Sequence, residues 1–352
     1  MERTALDRSS KSCAVISAVF FKDEPTISIN RPFISVATGS GAEKDMFPDC
    51  EAVDSRIQIQ LRRMHMTIRT GLTNLSNQQI SVCVRTIIAV VLFLSVAVGR
   101  VGAWGWEGHI IVARIAEQHL TAKAKAGIIQ LLGPDLKISD TSVASWPDNI
   151  RGARPETGPW HYVDIPFEAA SYDPSRDCSN GQCVVVQIEH FAAVLADTNA
   201  TTVSRAEALR FVVHFVGDMH QPLHSTERSH DRGGNLVKIT FLSGSQAGNL
   251  HSVWDSLLLR QYLGGEDVLQ YADQLNSRIT PQQAKDWAGG SVADWAWESH
   301  QQAVAHTYAG VPIQDTPVNL DAQYVAGNRE VVETQLMRAG IRLSVLLNKA
   351  FQ

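Results

Sequence analysis

The stretch SRAEALRFVVHFVGDMHQPLH, Ser204–His224, decides how this chain is read. Ser204 followed three residues later by Glu207 has the pattern of a capping box, in which two side chains satisfy backbone N–H groups at a helix start. The run that follows is apolar at helical spacing, and it must stop near Gln221, because Pro222 disfavours helical geometry in the residue before it. Within that helix His214 and Asp218 stand four residues apart, so both side chains leave the same face. His224 follows just past the helix end. An i,i+4 His–Asp pair is more often a surface ion pair than a ligand pair, so the spacing alone settles nothing.

Working outward, the same spacing recurs at His251 and Asp255 in HSVWD, again among apolar residues and again on an expected helix. Asn249 caps that helix and Gly264 ends it. Two more segments carry polar groups of the same kind: SWPDNIR supplies Asp148 and Arg151, and PWHYVD supplies His161 and Asp164. Taken singly, Asp148 reads as a helix cap after Pro147, and His161 as a satisfied core histidine beside Trp160 and Tyr162. Taken together with His214, Asp218, His224, His251 and Asp255, they make a set of imidazoles and carboxylates at metal-ligand spacing. Eleven of the chain's 12 histidines lie after Trp104.

The rest of the chain from Trp104 is also mainly helical by pattern. Thr121 is the expected N-cap of a segment running to Gly133, and a last long helix from about Asn328 to Lys349 puts Val332, Leu336, Leu343 and Leu347 on one face. LVKITFL, 236–242, alternates and reads as one short strand. No internal repeat or Pro-rich linker divides residues 104–352, so the expectation is an all-α, mainly helical single domain with a short β-hairpin or strand.

Upstream lies a different kind of sequence. The run from Ile87 to Gly99 is apolar, follows Arg85 and leads to Val101-Gly102-Ala103, the small-residue pattern of a signal-peptide cleavage site, so residues 87–103 read as a secretion signal cut before Trp104. At 13 residues before Arg100 the run is short of the ~20 a spanning helix needs, and no stable membrane association is expected. Residues 1–86 show no useful periodicity. They read as an unassigned extension and a candidate gene-model artefact, with Met64 or Met66 as an alternative start.

Cysteine placement agrees with a cut there. Cys13, Cys50 and Cys83 precede it, while Cys178 and Cys183 remain and can close a disulfide across a turn at Asn180-Gly181 in an exported chain. Asn199-Ala200-Thr201 is a glycosylation sequon. From Trp104 onward the chain holds 19 basic and 27 acidic residues, a net charge of −8 with His neutral. That balance excludes the basic groove of an ordinary nucleic-acid binder, so any attraction for phosphate has to come from bound metal. WGWEGH places Trp104 five residues before His109, directly after the cleavage site. Cleavage there would expose an α-amine able to chelate a metal together with its own carbonyl, whereas the ordinary role for Trp104 is a core aromatic.

In this order, WGWEGH, SWPDNIR, PWHYVD, HFVGDMHQPLH, GGN and HSVWD resemble the trinuclear zinc nuclease family of fungi, plants and bacteria, the S-one/P-one nucleases. The resemblance covers roughly 70% of the chain, from Trp104 to the helix containing VVETQLMRAGIRL. It implies a phospholipase C/nuclease-like fold and three Zn2+ per chain. Asp148, His161 and His214 would hold one zinc, Trp104 and His109 a second, with Asp218 bridging the two, and His224, His251 and Asp255 the third. It further implies that Arg151 contacts phosphate, that Asp164 is an active-site carboxylate, and that Asn235 and Tyr162 face the substrate. Arg151 and Asp164 thus join Asp148 as catalytic candidates. Tyr162 would stack a base, a contact that favours unpaired strands, and core packing is its ordinary alternative. The implied activity is hydrolysis of single-stranded RNA and DNA to 5′-phosphate products, together with removal of 3′-phosphates from 3′-nucleotides, by a monomer that is secreted or periplasmic. Members from eukaryotes usually carry a second disulfide, for which this sequence has no cysteines after Trp104. A zinc-dependent phospholipase C, whose next histidine lies much farther from the terminal Trp, and a non-catalytic zinc-binding protein are the alternatives.

Overall fold

The computed structural model describes residues 104–352, apart from 243 and 244. The readings placed on residues 1–103 (extension, apolar segment, cleavage after Ala103, upstream cysteines) lie outside the described residues. The architecture is mainly helical, as the periodicity implies. Its principal helices are α1 (Trp106–Gln118), α2 (Ala122–Leu132), α3 (Val184–Ala196), α4 (Thr202–Met219), α5 (Val268–Ser277), α6 (Val292–Gln302) and α7 (Ala322–Ala350), with shorter helical turns between them. No helix among the described residues is long and apolar enough to cross a membrane.

Helix α4 is the hub. From Ala208 to Met219 all but Arg210 are buried, and it packs on α3, α1 and α7. Its start differs from the sequence expectation: Thr201, not Ser204, is the N-cap, and its hydroxyl accepts from Ser204 N at 3.1 Å. Glu207, now in the second turn, pairs instead with Arg154 (2.7 Å). The helix ends at Met219, two residues short of Gln221. Helix α2 runs as expected from its Thr121 cap to Gly133. The C-terminal helix begins at Ala322 under an Asp321 cap, six residues before the expected Asn328, because its first turns are too polar to show an apolar stripe. It approaches α1 closely at Gly340, where a Cβ would lie 2.6 Å from Ile115 Cβ.

The core is a continuous apolar cluster of Trp104, Ile111, Ile115, Phe211, Phe215, Trp254, Leu336 and their neighbours. Burying each such large side chain contributes about 1.5–3 kcal/mol. The β content is slightly larger than expected. β1 (Lys238–Phe241) pairs antiparallel with β2 (Ser245–Asn249) and parallel with β3 (Val318–Leu320). Three residues are too few for alternation to show, which is why β3 escapes the sequence. Cys178 and Cys183 are disulfide-bonded, with Cα atoms 5.7 Å apart, around a turn at Gly181.

Candidate metal centre

Helix α4 delivers His214 and Asp218 from one face, both fully buried. His214 Nδ1 donates to the Ala144 carbonyl (2.8 Å), so its Nε2 carries a lone pair, aimed at Asp218 Oδ2 (3.3 Å) and Asp148 Oδ1 (3.7 Å). Asp148 lies inside the helical turn Trp146–Ile150, whose N-cap position is held by Ser145, so it is not the cap the local sequence allows. His161 ends the 3-10 turn Pro155–His161 and puts Nδ1 2.8 Å from Asp218 Oδ2 and 3.2 Å from His214 Nε2. On the other side, His109 from α1 places Nε2 3.3 Å from Asp218 Oδ1. Asp218 therefore turns one oxygen to His109 and the other to His161 and His214.

Gly217 makes that arrangement fit. A Cβ at this position would lie 2.8 Å from His109 Nδ1. A mid-helix glycine costs about 1 kcal/mol against alanine, and here it makes room for the imidazole.

The remaining residues meet about a different frame. His224 lies in the 3-10 turn Pro222–Ser225 and donates Nδ1–H to the His161 carbonyl (2.8 Å). His251 lies in the short turn Leu250–Ser252 and donates Nδ1–H to the Gly233 carbonyl (2.7 Å). Asp255 is in a π-helical segment, Val253–Leu257, not the regular helix its spacing suggests, although Asn249 and Gly264 do bound the region as expected. The two Nε2 atoms stand 3.0 Å apart, and Asp255 oxygens lie 3.9 Å from His224 Nε2 and 3.5 Å from His251 Nε2.

These contacts test whether the residues suit a cation. Because the Nδ1 protons of His224 and His251 are committed to carbonyls, the neutral rings present lone pairs to each other, an arrangement a cation between them would satisfy. Around Asp218, both ring nitrogens of His109, Nε2 of His161, Oδ1 of Asp148 and Oδ1 of Asp218 are buried without a hydrogen-bond partner. Each such group costs about 1–3 kcal/mol if it stays unpaired. Burial holds His109, His161, His214 and His224 below the ordinary imidazole range, puts His251 at about 4, and pushes Asp218 and Asp255 well above the carboxylate range. Neutral imidazoles are the ligand form, and carboxylates that burial alone would protonate call for a positive charge beside them. Three groups result that could hold metal ions: His109, His214 and Asp218; Asp148, His161 and His214; and His224, His251 and Asp255. The donor set of imidazoles and carboxylates without thiolates fits zinc.

Of the other expected residues, Trp104 is fully buried, and the next amide, Gly105 N–H, donates to the Asp255 carbonyl (2.6 Å), so the start of the described chain runs beside the third group. Arg151 Nη1 lies 3.5 Å from Asp148 Oδ1. Tyr162 is 38% exposed, which disfavours its alternative reading as a packed core residue. Asp164 is also exposed, and its carboxyl is raised to about 6 by partial desolvation and by Glu227, Asp177 and Asp231. Asn235 donates from Nδ2 to the Arg232 carbonyl (2.8 Å). Asn199 is exposed.

Three supporting residues were not anticipated. Gln221 bonds Asp255, buried Glu107 pairs with Arg260 (2.7 Å), and Gly217 clears space for His109. All lie within or next to quoted motifs. Only their contacts with distant segments reveal what they do.

A helical domain in which imidazoles and carboxylates from separate segments converge on three groups that could hold metal ions has the architecture of a metal-binding protein. The S1/P1 Nuclease family model matches residues 104–352, and the chain belongs to that family. It is 32% identical over 293 residues to Endonuclease 1 of Arabidopsis thaliana (76% of this chain, 93% of the relative) and 30% identical over 283 residues to Endonuclease 2 of the same plant (74% and 95%). It is also 29% identical over 269 residues to Nuclease P1 of Penicillium citrinum (70% and 97%). The all-α architecture is the one this family has.

Proposed function

We propose that residues 104–352 are a zinc-dependent endonuclease that hydrolyses single-stranded RNA and DNA to 5′-phosphate products and removes 3′-phosphates from 3′-nucleotides. The observation that carries this reading is Asp218, whose two oxygens face two separate donor sets, the arrangement a pair of neighbouring metal ions requires. In this reading Asp148, His161 and His214 would hold one zinc, Trp104 and His109 a second, with Asp218 shared between them, and His224, His251 and Asp255 would hold a third. Bound zinc would supply an activated water and positive charge at the phosphodiester.

The chain's own residues do the rest. Arg151, next to Asp148, neutralises a phosphoryl oxygen. Tyr162, exposed at the rim, offers its ring to an unpaired base, which duplex bases cannot reach. Asn235, on the loop that also carries the Gly233 carbonyl, contacts the nucleotide, and Asp164 places a carboxyl titrating near 6 at the same rim. Membership of the nuclease family and the relatives named endonuclease support this reading. We further propose that the chain is exported, that residues 87–103 are its signal and residues 1–86 no part of the working protein, that cleavage before Trp104 frees the α-amine for the second zinc, and that the product is a monomer with Asn199 open to glycosylation.

The test uses the purified protein beginning at Trp104, assayed on a single-stranded oligonucleotide and on phosphatidylcholine with and without chelator. Nucleotide release that stops with chelator is expected. Lipid cleavage without nucleotide release, or inactivity on both, overturns the reading. A form retaining one residue before Trp104 should lose zinc and activity, and full activity in that form would remove Trp104 from the ligand set.

A further inference from the structure

Three places among the described residues lie outside the functional reading: a cavity of about 460 Å³ between α3, the start of α6 and the end of α7; the partly buried Arg342–His220–Glu298 network; and the side chain of Gln221. The first is apolar with nothing to identify its occupant. The second is closed on itself. Gln221 is different, because its two ends touch two separate parts of the proposed metal centre.

Gln221 is fully buried. Its Oε1 accepts from Leu223 N–H at 2.7 Å, capping the 3-10 turn that carries His224. A backbone N–H can only donate, so this bond fixes which end of the amide is oxygen and leaves Nε2 to donate. That nitrogen stands 2.6 Å from Asp255 Oδ1, also buried, on a π-helical segment 34 residues away. One amide group thus sets the position of His224 through the turn and of Asp255 through a direct bond. The bond also occupies one lone pair of Oδ1, so Asp255 meets a cation with its orientation already chosen.

We propose that Gln221 is a positioning residue for the third metal group, coupling His224 to Asp255 so that this group takes its ion tightly. The inference rests on the zinc-dependent reading above. Two variants separate its two bonds. Gln221→Met keeps the length of the side chain and loses both. Gln221→Glu keeps an acceptor for Leu223 N–H but turns a second carboxylate oxygen toward Asp255 in place of the donor.

The measurement is zinc content of the holoprotein equilibrated across a series of buffered free-zinc concentrations, alongside its circular dichroism. Both variants are expected to release one zinc equivalent per chain at a free-zinc concentration about 10–100-fold higher than wild type, with the other equivalents unmoved, as found for partners that orient metal ligands. Wild-type retention in both variants, or tighter retention in Gln221→Glu, overturns the proposal. A shift in Gln221→Met with wild-type behaviour in Gln221→Glu assigns Gln221 to capping the turn alone and overturns it too. If Gln221→Met does not fold, Gln221→Glu decides by the same criterion. Wild-type protein that binds no zinc or cuts no oligonucleotide defeats the functional reading itself, whereas active wild type with unshifted variants defeats only this inference.

Discussion

The donor groups around Asp218 and the group around Asp255 use the same residue types but rest on different backbones. Of the donors around Asp218, His109, His214 and Asp218 itself stand on long regular helices, α1 and α4, where side-chain direction follows from spacing, while Asp148 and His161 come from short turns. His224, His251 and Asp255 stand on a 3-10 turn, a three-residue helical turn and a π-helical segment, beside a loop in which Ser229, His230 and Arg232 all have positive φ. Both HSVWD and HFVGD have an i,i+4 His–Asp pair, but only the second sits on a plain α-helix. The same short motif therefore has two structural meanings, and in the irregular region the geometry has to be maintained by contacts such as Gln221 and the Gly233 carbonyl.

The comparison can be broken most forcefully at its shared carboxylate. Asp218→Asn weakens two donor groups and Asp255→Asn only one. Loss of metal-derived charge stabilisation of several kcal/mol corresponds to roughly a 10³-fold fall in nuclease rate for Asp218→Asn. The zinc count should drop by two equivalents in Asp218→Asn and by one in Asp255→Asn, and equal losses would refute the bridging geometry.

A smaller effect tests the regular helix. Gly217→Ala should lower stability by about 1–3 kcal/mol, because the added methyl meets His109 Nδ1. Gly327→Ala on α7, where a Cβ meets nothing within 4 Å, should raise it by about 0.5–1 kcal/mol. Urea midpoints of the two variants should move in opposite directions. In the irregular region, Asn249→Ala removes the cap before His251 and should cost about 1 kcal/mol, read from the same unfolding curves.

The smallest effect is at the rim. The folded-state pKa of Asp164, about 6, lies above its ordinary value of 3.8, so ionising it is harder in the folded chain. Its contribution is therefore neutral below about pH 4, turns destabilising as pH rises from about 4 to about 6, and is constant above that. Asp164→Asn should raise the urea midpoint at pH 7 but not at pH 4, by less than about 1 kcal/mol because the side chain is exposed to solvent. A gain at pH 4 instead would contradict the direction of the shift.

The regular half of the molecule was the more legible. Periodicity located α2 and most of α4, and capping chemistry located Thr121 and Asn249. The start of α4 lies upstream of Ser204 because Thr201 offers a good cap three residues earlier, and the start of α7 was misplaced because polar first turns leave no stripe. The π-helical segment under Asp255 was invisible, since a π segment and an α-helix share the same apolar pattern at this length and differ only in hydrogen-bond partners.

By itself the sequence determined the mainly helical class, the donor types and the i,i+4 spacing of His214 with Asp218 and of His251 with Asp255, because these follow from local spacing and side-chain chemistry. The resemblance implied which donors share a group, but only the tertiary structure shows the distances between them, the two sides to which the Asp218 oxygens turn, and that Gln221 ties a turn to a π segment. Those facts depend on distances between segments tens of residues apart, set by how the helices pack against one another rather than by any local pattern.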